Sequence, residues 1–599
     1  MREITKQKKS LNHALLASGI SLLLVACGGS GNQDDVTGVA PPVFYSITVE
    51  STGAGNVGSE TVQVAAGGRY SLSLYPDDDH LVHSVTGCNG TLSDTTYEIT
   101  SVTANCRVEV TFGLVPLSLD MPQHIYSFYD DTMIPPHEYG GEYHEGGLVS
   151  YMGTASVQEL WMDGYQDVIF SLAKGYAAGI DTRVKPYLFR NENGRLVYDN
   201  SVEFSPVTSA RRWANYGERP NDHGTGLYFV GHDGGDGSFA EAMLIQSGSY
   251  PQDITASLPA TPLSNLTGKP NSVHAHAMAG GDLNGNGRTD FVVIDWGGCD
   301  TEVDPWVCFE SPYYLMQSDH ALEWSMIESD LLRNIAFEQP LAATNVGEGW
   351  NLLLDVHLVD VNGNGLDDLI VGYGHGASRS YVYFNQGIDA QGGPLFSREH
   401  SAALPQSPYG YNGLHLFTWS ADFNGNGHND LLLLWSRFVP YYGGWSFQLL
   451  SNDGSGVFTD VSEQAFHYLS ESHQLGEYLE WTDHFTVADL NGNGLPDIIG
   501  SDGGHSGSEA SIRIWLNDGA GGLQEIPVQI PHTNRTFKPT APWFDIAQDG
   551  VFGTAMMHQT ATDDTFSELR VNFYQLSLNR RLYSLAAEQE AIEQALERN

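Results

Sequence analysis

Basic residues and cysteines are both scarce in this chain. Its 599 residues include 27 Lys and Arg against 73 Asp and Glu, which gives a formal net charge of −46. Nucleic-acid-binding surfaces concentrate Lys and Arg, so this balance argues against nucleic acid as a partner and favours cations. The five cysteines include no pair with the CxxC spacing of a zinc site.

Several catalytic motifs are also missing. The chain has no nucleophile elbow, no HExxH, no P-loop and no glycine-rich dinucleotide loop leading into a helix, so the enzyme classes that depend on them are disfavoured. What is present is 41% hydrophobic residues, 11% aromatic residues and 67 glycines. This composition predicts a globular, turn-rich chain dominated by β-structure.

The N-terminus has the order of an export signal. Four basic residues precede a mostly apolar run over 11–26, which ends in Leu24-Val25-Ala26-Cys27-Gly28. The run is too short, and wrongly flanked, for a transmembrane helix, and no later stretch is apolar enough to span a bilayer. The Gly-, Ser- and Asp-rich residues that follow, up to 43, predict a flexible tether.

The cleavage region resembles the bacterial lipobox. The resemblance implies that residues 1–26 are a lipoprotein signal peptide and that Cys27 carries the lipid, palmitate included, which anchors residues 27–43 to a membrane. Gly28 after the cysteine favours, again by resemblance, the bacterial outer membrane, on its periplasmic side or at the cell surface. The alternative is an ordinary signal peptide with a chance cysteine.

Residues 44–113 alternate apolar and polar residues and predict a small β domain. Its predicted strands are Tyr45–Val49, Thr61–Val64, Tyr70–Leu74 and Arg107–Phe112. Export permits disulfides, and the simplest connectivity is Cys88–Cys106 and Cys299–Cys308, with other pairings left open. The segments around Cys88 and Cys106 resemble a small repeat domain of bacterial surface proteins, in which the two cysteines bridge. A spacer role is the preferred interpretation.

An internal repeat decides the fold of the remainder. Four nine-residue segments follow one pattern at spacings of 78, 62 and 67 residues, and each precedes an apolar run. They are Asp282-Leu-Asn-Gly-Asn-Gly-Arg-Thr-Asp290, Asp360-Val-Asn-Gly-Asn-Gly-Leu-Asp-Asp368, Asp422-Phe-Asn-Gly-Asn-Gly-His-Asn-Asp430 and Asp489-Leu-Asn-Gly-Asn-Gly-Leu-Pro-Asp497. Weaker copies lie at 159–167, 232–237 and 545–550. Seven units over residues 114–575 give about 66 residues each, which suits one four-stranded propeller blade.

The chemistry of these segments favours calcium. Asp at positions one and nine and Asn at three and five supply hard oxygen donors, and the glycines permit a tight backbone with positive φ. Oxygen-only donors favour Ca²⁺ over zinc or copper. The segment is not an EF-hand, because position twelve is Val293, Val371, Leu433 or Gly500 and never Glu. The alternative is an Asn/Gly hairpin turn without metal.

Taken together, these segments resemble the FG-GAP/VCBS repeats of integrin α-subunit propellers, over roughly residues 120–575. The resemblance implies calcium between the first two strands of a blade. It carries over as metal ligands Asp282, Asn284, Asn286, Asp290, Asp360, Asn362, Asn364, Asp368, Asp422, Asn424, Asn426, Asp430, Asp489, Asn491, Asn493 and Asp497. The first, second and seventh units depart from the pattern at Trp161, Ala547 and Gly553, among others, and the calcium prediction does not extend to them.

The sequence therefore predicts an all-β chain in which a small disulfide-linked β domain precedes a seven-bladed propeller, with a strand/helix tail over 576–599. In such propellers the face opposite the calcium loops carries polar residues around a central funnel. The catalytic candidates on that face are His276, His357, His415, His484, Arg379, Arg437 and Tyr441. Taken singly, each histidine is more often a hydrogen-bonded strand residue than a catalytic one.

Three functions are compatible with this arrangement. The first is a membrane-anchored surface module that binds a glycan or a protein in its funnel, since Arg and His take carboxylate or sulfate groups. The second is an exported polysaccharide lyase, in which Arg would neutralise a uronate and His or Tyr would remove the C5 proton. The third is a structural surface protein. Binding ranks first, and whether the chain is an enzyme stays open.

Overall fold

The computed structural model of the chain describes residues 43–53, 55–58, 61–76, 80–93, 95–114, 117–119, 124–130, 154–171, 185–204, 210–216, 226–231, 240–267, 271–273, 275–295, 299–300, 307–308, 312–318, 323–336, 353–374, 379–439, 443–466, 485–501, 512–519, 521–526, 528–529, 542–548, 550–561 and 567–577. These residues fall into two compact units. The first takes the described residues up to Tyr75 and Val82–Thr111, and the second takes Pro76–Leu81 and the described residues from Phe112 onward.

The described residues of the N-terminal part form nine strands. They are β1 Phe44–Thr52, β2 Gly55–Asn56, β3 Thr61–Ala65, β4 Tyr70–Ser73, β5 Tyr75–Pro76, β6 His80–Gly87, β7 Thr91–Ser93, β8 Thr96–Ile99 and β9 Cys106–Leu114. The sheets have the orders β3-β1-β9-β6, β4-β8-β7 and β2-β5, and all four predicted strands are present. Ile47, Val49, Val108 and Val110 alternate inward and are buried. The predicted Cys88–Cys106 disulfide is confirmed.

In the second unit, the described residues form six four-stranded antiparallel sheets in chain order. Sheet 1 has β12 Thr154–Gln158, β13 Asp167–Ser171, β14 Tyr187–Asn191 and β15 Leu196–Asp199; sheet 2 has β16 Ala210–Tyr216, β17 Gly226–Gly231, β19 Met243–Gln246 and β20 Gln252–Asp253; sheet 3 has β22 Ala275–Gly281, β23 Asp290–Asp295, β26 Tyr313–Gln317 and β27 Trp324–Glu328. Sheet 4 has β28 Leu353–Val359, β29 Asp368–Tyr373, β30 Tyr381–Tyr383 and β31 Ser401–Ala403; sheet 5 has β32 Gly413–Ala421, β33 Asp430–Arg437, β34 Trp445–Asn452 and β35 Phe458–Asp460; sheet 6 has β36 Phe485–Ala488, β37 Asp497–Ser501, β38 Ile512–Asn517 and β39 Leu523–Ile526.

The apolar runs that follow the repeats are the second strands of these sheets. Every residue of β23 and β29 is buried, because neighbouring sheets cover both faces. Separate apolar clusters fill the interfaces between sheets 1 and 2, 2 and 3, 3 and 4, 4 and 5, and 5 and 6. The first strands of sheets 1 to 5 contact one another in series, which makes them the innermost strands.

A terminal sheet combines early and late parts of the chain. Its strands are β10 Leu117–Leu119, β11 His124–Asp130, β40 Val528–Gln529, β41 Phe544–Asp545, β42 Phe552–Ala561 and β43 Ser567–Ser577. β11 pairs antiparallel with β43, with His124 opposite Phe573, so this early segment belongs to the same sheet as the late strands. Sheet 1 packs against it through Phe189 and Phe573, whose ring centroids lie 5.3 Å apart.

Short elements connect the sheets. β18 Ala240–Glu241 pairs with β21 Ser272–Val273, and β24 Cys299–Asp300 pairs with β25 Val307–Cys308, which sets Cys299 opposite Cys308 in the ladder. The helices are α1 Pro262–Thr267, α2 Asp330–Ala336 and α3 Ser462–Ala465, with 3-10 turns at Thr255–Ser257, Arg398–His400 and Gly410–Asn412. No helix in the described part of the chain has the length and apolarity to cross a membrane. The predicted signal peptide, most of the tether and the C-terminal helix lie outside the described residues.

Candidate metal centres

Four nine-residue loops connect the first strand to the second in sheets 3 to 6. The ninth residue of each loop is also the first residue of the second strand: Asp290, Asp368, Asp430 and Asp497. This is the location that the resemblance to FG-GAP repeats implied. We refer to these as the complete loops and number their positions one to nine.

The first aspartate organises the turn. In sheet 3, Asp282 Oδ1 accepts the N–H groups of Gly285 at 2.8 Å and Asn286 at 3.1 Å, and Oδ2 accepts that of Gly287 at 2.9 Å. Asp360 accepts the same three bonds in sheet 4. The glycines at positions four and six have φ of 75° and 79° in sheet 3, a region that residues with a Cβ rarely adopt.

The two asparagines lie beside the carboxylates. Asn284 Oδ1 accepts the N–H of Asn286 at 2.9 Å, and Asn284 Nδ2 approaches Asp290 Oδ1 at 3.5 Å. The position-five amide also donates to a carbonyl at the end of the third strand, from Asn286 Nδ2 to Gln317 O at 3.0 Å. Each loop therefore gathers two carboxylates and two amide oxygens within nine residues.

The ninth aspartate is buried, and both of its oxygens accept backbone N–H groups. In sheet 5, Asp430 Oδ2 accepts from Phe423 at 3.0 Å, and Oδ1 accepts from Asn452 at 2.8 Å. The other complete loops repeat this pair of bonds. Burial raises the pKa of Asp290 to about 8 and that of Asp497 to about 7, and the first aspartate of each loop raises it further, while the backbone N–H donors oppose the shift.

This donor set fits a hard divalent cation. Two carboxylates and two amide oxygens are the ligand types that Ca²⁺ takes. A cation would also offset the repulsion between the paired aspartates. The described residues contain no cluster of three or more His, Cys, Asp or Glu side chains, so the asparagine oxygens would have to complete the ligand set.

A further set of asparagines, not predicted from the sequence, connects neighbouring sheets. Asn385, Asn452 and Asn517 lie at or just after the end of the third strand in sheets 4, 5 and 6, and all three are buried. We call them the bridging asparagines. Their side chains donate to the position-two carbonyl of the preceding sheet's loop, at Leu283, Val361 and Phe423, over 2.9, 2.8 and 2.7 Å. A repeated Asn-x-Gly after each third strand was the available sequence signal.

The loop of sheet 1 keeps the backbone of the complete loops and changes the ligands. Glu159 Oε1 accepts the N–H of Gly164 at 2.6 Å, and Asp167 accepts those of Leu160 and Asn191, both at 2.8 Å. The side chain of Arg190 lies here, with its guanidinium 3.1 Å from Asp163 Oδ2 and 5.0 Å from the centre of the Trp161 ring. In the terminal sheet, Asp545 Oδ2 still accepts the N–H of Gly550 at 2.8 Å. The copy at 232–237 lies outside the described residues.

Among the funnel candidates, His415 belongs to a buried polar chain between sheets 4 and 5. Its Nδ1 lies 2.6 Å from Ser380 Oγ, and its Nε2 lies 2.9 Å from Thr418 Oγ1. Thr418 donates in turn to Asp355 Oδ2 at 2.7 Å, so His415 is a neutral imidazole that donates through Nε2. Burial lowers the pKa of His415 to about 3, and Trp435 stacks on its ring.

The other candidates that the structure describes make different contacts. His357 Nε2 lies 2.8 Å from Ser420 Oγ, and burial lowers its pKa to about 4. Arg437 Nε donates to Gly443 O at 2.6 Å and faces the Tyr409 ring, while Arg379 is exposed. The side chain of His276, and residues His484 and Tyr441, lie outside what the structure describes.

A cavity of about 580 Å³ lies between the first strands of sheets 1 and 6 and the start of the terminal sheet. It is close to the loop ends of these strands, since Ala488 immediately precedes the sheet 6 loop. The lining combines aromatic side chains with hydroxyl and amide groups and includes one carboxylate. The lining residues are Ala155, Ser156, Val157, Gln166, Thr486, Val487, Ala488, Pro542, Trp543, Phe544, Asp545 and Phe552.

Comparison with known proteins supports a β-propeller. The FG-GAP-like repeat family matches residues 422–500, from the sheet 5 loop into the second strand of sheet 6. No curated protein matches the sequence significantly. Among solved structures, an α-L-arabinanase of Penicillium chrysogenum complexed with arabinobiose is 12% identical, with a TM-score of 0.31 over 61% of this chain and 92% of that one.

Two further structures are similar at the same level. A Dos1 propeller is 9% identical, with a TM-score of 0.31 over 76% of this chain and 95% of that one. A GH43 β-1,3-galactosidase with galactodeoxynojirimycin is 10% identical, with a TM-score of 0.25 over 51% and 91%. Likenesses of this strength assign neither an activity nor a ligand to this chain.

Proposed function

We propose that this chain is a calcium-stabilised β-propeller that is exported, held at the bacterial outer membrane by a lipid on Cys27, and binds a glycan. The observation that carries the calcium assignment is the fourfold repetition of one loop geometry in sheets 3 to 6. In each, a first aspartate, two asparagines and a buried ninth aspartate surround the same turn. The lipid anchor rests on the resemblance to the lipobox.

The propeller has seven blades in this proposal. Sheets 1 to 6 supply six, and the terminal sheet supplies the seventh, with β11 as its fourth strand. Contacts on both sides of the terminal sheet support closure of the ring. Asn191 of sheet 1 donates to Ile546 O at 2.7 Å, and the N–H of Trp543 donates to Thr486 Oγ1 of sheet 6 at 3.0 Å.

The ligand site is the cavity between sheets 1, 6 and the terminal sheet. Its volume of about 580 Å³ falls in the range of about 300–1,000 Å³ that is usual for small-ligand pockets. Aromatic groups beside hydroxyl and amide groups suit a sugar ring, which has apolar faces and polar edges. Among the described lining residues Asp545 carries the only charge and none is Lys or Arg, which favours a neutral sugar over a uronate.

Lyase chemistry ranks below binding on a specific observation. A lyase base must reach the C5 proton of its substrate. His415 is fully buried and engages Ser380 and Thr418 through its two ring nitrogens. Its role in the structure is to connect the innermost strands of sheets 4 and 5 with a satisfied polar chain.

Calcium removal tests the proposal. Calcium binds the native loops and hardly the unfolded chain, so it stabilises by mass action. At roughly ten times a dissociation constant of ~10⁻⁴–10⁻³ M, each site contributes about 1.4 kcal/mol. Metal-stripped protein should melt several degrees below calcium-loaded protein, and magnesium should restore less than calcium. An identical melting curve with calcium and with chelator would mean that the loops are hairpin turns that bind no metal.

The ligand and the anchor have separate tests. A glycan array probed with the full chain should give binding to neutral glycans that Trp543→Ala removes; a response confined to uronate polymers, with a 4,5-unsaturated product, would favour the lyase instead.

Cys27→Ser should move the protein from the membrane fraction to the soluble fraction. Unchanged membrane association of that variant would rule out the lipid anchor.

A further inference from the structure

A continuous chain of hydrogen bonds connects the complete loops to one another. Each bridging asparagine donates its backbone N–H to the ninth aspartate of its own loop and its side chain to the preceding loop. For sheets 5 and 4, Asn452 N lies 2.8 Å from Asp430 Oδ1, and Asn452 Nδ2 lies 2.8 Å from Val361 O. The N–H of Val361 then donates to Asp368 Oδ2 at 3.1 Å. Two ninth aspartates are thus connected through one side chain and the backbone of one residue, Val361.

The same connection repeats on both sides of this pair. Asn385 links the loop of sheet 4 to Leu283, whose N–H binds Asp290 in sheet 3. Asn517 links the loop of sheet 6 to Phe423 of sheet 5, whose N–H binds Asp430. The chain of bonds therefore runs without a break from Asp497 in sheet 6 to Asp290 in sheet 3.

Sheets 3 and 4 share a second connection. The N–H of Asp282 donates to Asp367 Oδ2 at 2.6 Å, and the N–H of Asp367 donates to Asp282 O at 3.1 Å. Asp367, at position eight of the sheet 4 loop, is buried. Because these groups are removed from water, breaking any one of the bonds leaves an unsatisfied polar group, and the loops are expected to respond together.

We propose that the bridging asparagines couple calcium binding between adjacent sheets, so that the four loops fill cooperatively. This rests on the proposed calcium function. An ion that fixes the ninth aspartate of one loop also fixes the bridging asparagine bonded to it. That asparagine holds the position-two peptide of the preceding loop, which in turn orients the ninth aspartate there. Binding of the second ion therefore costs less conformational entropy than binding of the first.

The test uses full-length variants in which two of the four complete loops are disabled and the other two are intact. Asp282→Ala with Asp489→Ala leaves the adjacent loops of sheets 4 and 5, whereas Asp360→Ala with Asp422→Ala leaves the unconnected loops of sheets 3 and 6. Calcium is titrated calorimetrically into metal-stripped protein. The adjacent pair should bind with a Hill coefficient above one and about tenfold coupling between sites, and the separated pair with a coefficient of one. Cooperativity from global folding would appear in both proteins.

Substitution of the link itself distinguishes coupling from simple stabilisation. Asn452→Ala in the protein with loops 4 and 5 should reduce the Hill coefficient to one and weaken the overall calcium affinity. Asn191→Ala is the matched control, because Asn191 is buried and donates the same pair of bonds, its N–H to Asp167 and its side chain to Ile546 O at 2.7 Å, without contacting a complete loop. That variant should lose stability and keep the coupling.

A third protein with two complete loops compares the strength of coupling between two adjacent pairs, with every bridging asparagine retained. Asp422→Ala with Asp489→Ala leaves sheets 3 and 4, and the extra Asp367 bonds should make this pair the most strongly coupled. Independent binding at both adjacent pairs would overturn the inference while leaving the calcium proposal intact, as would coupling that survives Asn452→Ala. Absence of calcium binding in all of the proteins would overturn the calcium proposal itself.

Discussion

The loop of sheet 1 and the loop of sheet 5 have nearly the same backbone and very different chemistry. Both hold the position-two N–H on a buried ninth aspartate, Asp167 or Asp430, and both have positive φ at positions four and six. In sheet 5 the ligand positions are Asp and Asn throughout. In sheet 1 a glutamate and a tryptophan replace the first two ligands, and the guanidinium of Arg190 lies among the side chains.

This difference separates two roles that the loop sequence combines. The ninth aspartate and the positive-φ positions build the turn, and they do so in both loops. The residues at one, three and five set the charges and the possible ligands beside it. In sheet 1 the positive group there belongs to the chain itself, because the guanidinium of Arg190 pairs with Asp163. We therefore expect the sheet 1 loop to be independent of metal and the sheet 5 loop to depend on it.

The largest effect is expected from removing the ninth aspartate in either loop. Asp167→Ala leaves three buried backbone N–H groups without their acceptor and Asp430→Ala leaves two, at a cost of about 1–3 kcal/mol for each group. The loss for Asp167→Ala should be equal with calcium and with chelator, whereas that for Asp430→Ala should be larger in calcium. Urea denaturation under both conditions measures this. A calcium-dependent loss for Asp167→Ala would remove the distinction between the loops.

The pH dependence of stability gives the next largest effect. Burial raises the pKa of Asp167 and Asp497 to about 7, above the value of about 4 in an unfolded chain. Between these values the native state holds more protons, so stability falls as pH rises from about 4 to about 7. The slope is about 1.4 kcal/mol per pH unit for each group.

In this pH range, calcium should change the pH dependence of stability for the complete loops and not for the sheet 1 loop. Because an ion and a proton compete for the ninth aspartate of a complete loop, stabilisation by calcium should be largest at pH 8 and smallest near pH 5. Asp167 should keep its own pH dependence in saturating calcium. Melting curves at these two pH values, with and without calcium, give the comparison. Equal stabilisation by calcium at both would contradict it.

Much of this architecture was predictable from the sequence. Four copies of one motif predicted the loops between first and second strands, and alternation predicted the strands around Ile47 and Val108. The bridging asparagines were missed, because a single Asn before a glycine is also a common turn signal. The buried chain around His415 was missed for another reason. Its members come from four separate positions, and only the packing of sheet 4 on sheet 5 brings Asp355 to Thr418.

A smaller effect is expected from the first position. Asp422→Ala should lose the contribution of one calcium site, about 1.4 kcal/mol at tenfold saturation, together with the bonds that Asp422 accepts from the N–H groups of Asn426 and Gly427. Glu159→Ala removes the corresponding acceptor in sheet 1, which bonds Gly164 at 2.6 Å, and should cost about 0.5–1.5 kcal/mol, the net value of one hydrogen bond. The two variants differ in calcium dependence, because only Asp422→Ala removes a proposed calcium ligand. Thermal unfolding with and without chelator identifies them: only Asp422→Ala should narrow the gap between the two curves.

The smallest expected effect comes from position four of the incomplete loops. Met162 has φ of 52° where the complete loops have glycine, so its Cβ is held in a left-handed conformation. That conformation costs roughly 1–2 kcal/mol for a residue with a Cβ, and glycine would avoid it. Glycine also loses more backbone entropy on folding, about 0.5–1 kcal/mol. Met162→Gly should therefore stabilise the protein by about 0.5 kcal/mol, with no change in calcium response.

Gly425→Met, the reverse change in sheet 5 where φ is 70°, should destabilise by a similar amount. Chemical denaturation of both variants, with and without calcium, measures these changes in the free energy of unfolding. If Met162→Gly made the stability depend on calcium, the backbone of the sheet 1 loop, and not its ligand residues, would be what prevents calcium binding there.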